Sequence, residues 1–123
     1  MKTILCVDDS MTIRFRVTKA LGPGYNTHRV ADGYEALNLI IEGLSGIDLF
    51  LIDVNMPNMD GIELLRNIRE KLHMDTPVVM LAGERCPDKI KEARLLRASA
   101  WLSKYAKPEA LKHVVDMVLN TSK

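Results

Sequence analysis

The chain has 123 residues, the length of one domain, with 47% hydrophobic and 27% charged residues. A chain of this size buries enough surface to fold without a disulfide or a structural metal. Seventeen Lys and Arg against sixteen Asp and Glu leave a net charge of +1, which excludes a generally basic nucleic-acid binder and an acidic disordered tail.

In chain order, Thr3–Val7 is continuous apolar sequence and predicts a buried strand ending at Asp8 and Asp9. The run is too short for a leader, and no stretch approaches the roughly 18 apolar residues of a membrane span, so neither is expected. Ser10 is a candidate N-cap for a helix to about Leu21, stopped by Gly22-Pro23-Gly24. Tyr25–Val30 predicts a weaker strand. Asp32–Glu42 places Ala36, Leu37, Ile40 and Ile41 on one helical face, with Gly43 and Gly46 at its exit. Asp48–Ile52 is a second continuous apolar run and ends at Asp53. Met56 to Gly61 is turn sequence, and the helix after it carries Leu64, Leu65, Ile68 and Leu72 on one face. Pro77 opens a third buried-type strand, Val78–Leu81. Asp88–Arg97 predicts a short basic helix, and Ala100–Ser103 a last short strand. Pro108 suits the first turn of a final helix whose apolar face is Leu111, Val114, Val115, Val118 and Leu119.

Five strand–helix units with no repeat or linker make residues 1–123 one α/β domain. Continuous apolar strands imply a parallel sheet covered on both faces. Cys6 reads as core and Cys86 as a loop thiol. Neither belongs to a CxxC pair, so no zinc or redox motif is present and a reduced, cytoplasmic setting is expected.

Parallel sheets bind ligands beyond the carboxyl ends of their strands, at the switch point. In a five-stranded doubly wound sheet of order 2-1-3-4-5, the first and third strands flank that point. Asp8, Asp9 and Asp53 then converge. Each aspartate alone could simply cap the following helix. Three together repel one another and are stable mainly with a cation. An all-oxygen set without His or Cys suits Mg²⁺. A carboxylate beside Mg²⁺ can act as a nucleophile towards phosphorus. Lys104, just past the last strand, is either a solvated lysine or a phosphoryl counter-ion.

Val7-Asp8-Asp9-Ser10, then Asp53-Val54-Asn55-Met56-Pro57 with Asp60-Gly61, then Lys104, together resemble the response-regulator receiver domain, and single-domain chemotaxis-type receivers most of all. The resemblance covers the whole chain. It implies a flavodoxin-like sheet of order 2-1-3-4-5 with five helices. It implies that Asp53 accepts a phosphoryl group from a histidine kinase. Asp9 and Asp53 would hold Mg²⁺ directly, Asp8 through water, and the main-chain carbonyl of Asn55 would be a further ligand. Lys104 would pair with the phosphoryl oxygens. Trp101 falls at the family's switch aromatic, although a half-buried packing role fits it equally.

Three residues depart from the family pattern. Ala82 stands where the family has Thr or Ser, and a methyl group donates no hydrogen bond to a phosphoryl oxygen. Tyr105 replaces the proline that usually follows the lysine across a cis bond. A cis bond before a non-proline costs about 2.5–4 kcal/mol, so a trans bond is expected and the placement of Lys104 is open. Arg97 replaces a glycine after the fourth helix and is a poor occupant of a left-handed site.

Arg85, Lys89, Lys91, Arg94 and Arg97 make the fourth helix and its flanks basic. This is either a solvated face or a docking face for an acidic downstream partner. The resemblance favours the second, since the helix 4–strand 5–helix 5 surface is the family's output face. The leading reading is a phosphoacceptor signalling domain rather than an enzyme. The resemblance implies that it catalyses its own phosphorylation and dephosphorylation. The alternative is a divergent pseudo-receiver that acts as an interaction module with little switching. An aspartate-nucleophile phosphatase would need a second aspartate where Ser10 or Asn55 stands. Flavin binding would want a Ser/Thr-rich loop where Asp8 and Asp9 stand, and no Gly-rich nucleotide loop occurs. No output domain follows Lys123, so either action by binding alone or a fragment is expected.

Overall fold

The structure, a computed structural model, describes residues 1–121. The strands are β1 (Lys2–Val7), β2 (Tyr25–Val30), β3 (Ile47–Asp53), β4 (Val78–Ala82) and β5 (Ala100–Ser103). They form one parallel sheet in the order β2-β1-β3-β4-β5. The helices are α1 (Met11–Leu21), α2 (Gly33–Ile41), α3 (Gly61–Arg66), α4 (Pro87–Leu95) and α5 (Pro108–Thr121). The expected fold class and strand order are therefore the observed ones.

Side chains alternate across the strands and so build two cores. Leu5, Val7, Phe50, Ile52, Val78 and Met80 pack with Ala36, Leu64, Leu65 and Ile68 on one face. Ile4, Cys6, Leu49, Leu51, Val79 and Leu81 pack with Val17, Leu21, Leu111 and Val115 on the other. Burial on both faces is why the central strands read as unbroken apolar runs.

The helix starts are chemically specified. The Ser10 side chain accepts from the Ile13 amide, as expected, and that of Asp32 accepts from Glu35. Asp60 and Glu63 exchange bonds as a capping box. Cys86 caps α4 without a side-chain bond, and Pro87 stands in its first turn.

Several expectations need correction. Asp32 and Glu42 are caps of α2 rather than members, and Ile41 at its last position is 68% exposed, off the apolar face. The helix after Gly61 is α-helical only to Arg66. A π-helical turn follows over Asn67–Lys71, in which the Leu72 amide bonds to Asn67 at 3.0 Å. The fourth helix begins one residue early, at Pro87, and ends at Leu95.

Beyond it, Arg97 adopts φ +63°, the left-handed conformation that disfavours an arginine. Buried Arg69 offsets the strain. Its guanidinium donates to the carbonyls of Leu96, Met74, Thr76 and Arg97 at 2.8–3.1 Å. Every peptide bond among the described residues is trans, including that between Lys104 and Tyr105. Among the described residues no helix is long and apolar enough to cross a membrane.

Candidate phosphoacceptor site

The register sets Val7 opposite Ile52, so the residues that follow each, Asp8 and Asp53, leave neighbouring strands at one level. Both are fully buried, whereas Asp9 is exposed. Oxygens of Asp8, Asp9 and Asp53 all lie within 4.8 Å of one another. Asp8 Oδ1 accepts from the Ser10 amide at 2.8 Å, and its main-chain carbonyl accepts from Arg14 at 2.6 Å. Asp8 Oδ2 is buried without a hydrogen-bond donor.

Asp53 Oδ1 accepts from the Asn55 amide at 3.2 Å, and Oδ2 from Lys104 Nζ at 3.1 Å. The same ammonium lies 3.7 Å from Asp8 Oδ2. Lys104 thus reaches the cluster across a trans bond. Ser103 holds the turn, accepting the Tyr105 amide on Oγ and the Ala106 amide on its carbonyl. The Lys104 amide donates to the Ala82 carbonyl at 2.9 Å, continuing the β4–β5 pairing one step past the strand.

Gly61 is required by close approach. A Cβ there would sit 2.2 Å from the Asp53 carbonyl oxygen, and the Gly61 amide donates to Val54 at 2.8 Å. The start of α3 therefore lies against the backbone that carries Asp53. The loop between them turns tightly at Asn58, φ +71°, with the Met59 amide bonded to the Pro57 carbonyl.

The charges are poised. Burial, and then the charge of Asp8, push the Asp53 carboxyl up to about 6 against the opposing pull of Lys104. Burial likewise raises Asp8, opposed by the Ser10 amide and Lys104. Burial alone would lower Lys104, but its bond to Asp53 and the surrounding carboxylates outweigh it and raise the ammonium. Cys6, beneath the cluster, is pushed up to about 12 by burial and then by Asp8, which keeps it an inert thiol.

One lysine cannot neutralise three carboxylates. The undonated Asp8 Oδ2 and the all-oxygen set fit a hard divalent cation. Asn55 is exposed at the rim, and its side-chain oxygen accepts from Lys89 Nζ at 3.2 Å. Ala82 is buried and presents only a methyl group. Half-buried Trp101 stands between two hollows. One, of about 330 Å³, is lined by Ala82, Gly83, Glu84, Arg85 and Ser103. The other, of about 150 Å³, runs along α4.

Two residues escape the sequence reading. In sequence Lys89 is one of the basic residues on and around α4, yet its ammonium turns towards Asn55. Arg69 belongs to no motif, although it follows Leu65 by four residues and so falls on the buried side of its helix.

A doubly wound sheet with this acidic cluster and lysine at its carboxyl edge defines a receiver-type signalling domain. The family model for the response regulator receiver domain matches residues 4–116, and the chain belongs to that family. It is 36% identical to chemotaxis protein CheY-3 of Vibrio cholerae, covering 94% of this chain and 89% of that protein. It is 37% identical to sensor kinase CckA of Brucella abortus over 94% of this chain, which spans only 12% of that kinase. Among solved structures, CheY4 of Vibrio cholerae superposes with a TM-score of 0.87 at 37% identity, covering 96% of this chain and 98% of that one. The chain is a domain of two-component and phosphorelay signalling, not an enzyme of the usual kind.

Proposed function

We propose that this domain, residues 1–123, is a phosphoacceptor: Asp53 takes a phosphoryl group from the phosphohistidine of a histidine kinase and thereby alters partner binding. The observation that carries the reading is Lys104 Nζ at 3.1 Å from Asp53 Oδ2, inside the cluster with Asp8 and Asp9.

An Asp53 carboxylate oxygen forms the new bond to phosphorus while the phosphorus–nitrogen bond of the donor breaks. The electron pair of that bond stays on the departing imidazole nitrogen. Lys104 supports the negative charge that the phosphoryl oxygens carry through the transfer. Asp8, Asp9, Asp53 and the main-chain carbonyl of Asn55 would hold Mg²⁺, which when bound neutralises charge on the transferring group. The same groups, with water as the acceptor, support self-catalysed dephosphorylation.

Lys91 and Arg94 are exposed on α4 beside Leu95, itself 73% exposed, and exposed Arg85 precedes the start of the helix. This face suits an acidic downstream partner with an apolar anchor, and nucleic acid and membrane are not partners in this reading. The kinase partner implies a cytoplasmic setting. A pseudo-receiver is the poorer reading, because the lysine and all three carboxylates are in place.

Intact mass after incubation with acetyl phosphate and Mg²⁺ tests the proposal. One added phosphoryl group is expected on the parent and none on Asp53→Asn. An unmodified parent, or a modified variant, overturns it.

A further inference from the structure

The first turn of α4 carries a cation where a helix least favours one. Lys89 stands three residues after the Cys86 cap, against the partial positive charge of the helix N-terminus. Asp88 stands beside it in the same turn, but Lys89 makes no ion pair among the described residues, and its one side-chain bond is to a neutral group. Glu92, nearest on its own helix face, is held by Arg66 at 2.9 Å. The bond that Lys89 makes is to the neutral amide oxygen of Asn55, at 3.2 Å. Lys91 and Arg94 on the same helix are exposed, whereas Lys89 is half-buried. The main-chain N–H of the same residue donates to Asp53 Oδ1, the oxygen that Lys104 leaves free. The acceptor carboxylate therefore has one ammonium on β5's side and a second at one residue's remove on α4.

We propose that Lys89 is a second phosphoryl counter-ion, through which α4 senses the modification of Asp53 in place of the hydroxyl absent at Ala82. The proposal rests on the phosphoacceptor reading above. In the resting protein Lys89 has only an uncharged partner. A phosphoryl group on Asp53 offers charged oxygens at the same mouth, and an ammonium prefers these strongly to an amide. That preference is a differential interaction between the two states, which is the requirement for shifting α4. The helix is built to yield at this end. Its first turn has no side-chain cap, and the segment that leads into it borders the hollow of about 330 Å³. Its other end is fastened by Arg69, whose guanidinium donates to the carbonyls of Leu96 and Arg97.

The test uses the full chain with Mg²⁺, as parent, Lys89→Gln and Lys89→Arg. Intact mass with acetyl phosphate is read first. The parent gains one phosphoryl group, Lys89→Gln gains it about three- to tenfold more slowly, and Lys89→Arg stays within about twofold of the parent. An unmodified parent overturns the phosphoacceptor reading at this step and the proposal with it. Amide exchange is read next, with beryllofluoride as the phosphoryl mimic. Exchange over residues 88–91 slows by at least about threefold in the parent and in Lys89→Arg, and stays unchanged in Lys89→Gln. A full response in Lys89→Gln, or none in a parent that does accept phosphoryl, overturns the role of Lys89 alone.

Discussion

The buried guanidinium of Arg69 donates Nη2 to the main-chain carbonyl of Arg97 at 3.1 Å, one arginine holding the backbone of another in a left-handed turn. Replacing Arg69 with Met removes the donor from four carbonyls, of which the Leu96 bond is buried and the other three part-buried. Stability should fall by about 3–5 kcal/mol, read from the urea midpoint. Replacing Arg97 with Gly should do the reverse, raising stability by about 0.5–1 kcal/mol with an unchanged slope. The exposed Arg97–Asp75 pair lost with it contributes little.

Asp53 binds protons in the folded state that the unfolded chain releases. Its carboxyl rises from 3.8 to about 6, so in metal-free buffer its contribution to stability is present below pH 3.8 and lost as pH climbs through about 6. Asp8 acts with the same sign. Asp53→Asn should therefore be more stable than the parent at neutral pH, by about 1–2 kcal/mol, with the gap closing in acid. Thermal unfolding in chelator across this range checks it; a gap that widens in acid contradicts the sign.

Mg²⁺ should raise the melting temperature by binding the folded state alone, and should quench the single Trp101, which shares β5 with the Ser103 that precedes Lys104. Asp9→Asn should lose both responses while folding normally, since Asp9 is exposed. If it responds as the parent does, the carboxylate cluster is not the cation site.

Gly61→Ala sets a methyl group 2.2 Å from the Asp53 carbonyl oxygen, a contact between two backbones that no rotamer relieves. A loss of about 2–4 kcal/mol is expected, together with a weakened Mg²⁺ response because Asp53 is displaced. Urea unfolding and the same fluorescence titration measure the two effects.

The strands and helices were legible in the sequence because burial on both faces leaves unbroken apolar runs at Leu5, Phe50 and Val79. Asp8, Asp9, Asp53 and Lys104 were legible because each lies at or within two residues of the carboxyl end of a strand. Arg69 was not, because its partners are carbonyl groups, which leave no trace in side-chain sequence. The left-handed turn at Arg97 was legible only as a conflict between a basic residue and the glycine the family prefers there. The direction of Lys89 was hidden because its neighbours Lys91 and Arg94 are also basic, and only geometry separates the lysine that turns inwards from the residues that face water.

The polarity of the sheet divides the molecule into a precise end and a permissive one. Around Asp8 and Asp53, deleting one residue from a strand would turn a carboxylate onto the opposite face. At the amino edge the connections at 22–24 and 42–46 run through Gly22, Gly24, Gly43 and Gly46, where a Cβ meets no atom within 4 Å, although Gly22, Gly43 and Gly46 hold positive φ and their own replacement would strain the turn. Changes of chain length, an inserted peptide or a grafted reporter among them, are absorbed there, on the side of the sheet remote from the chemistry.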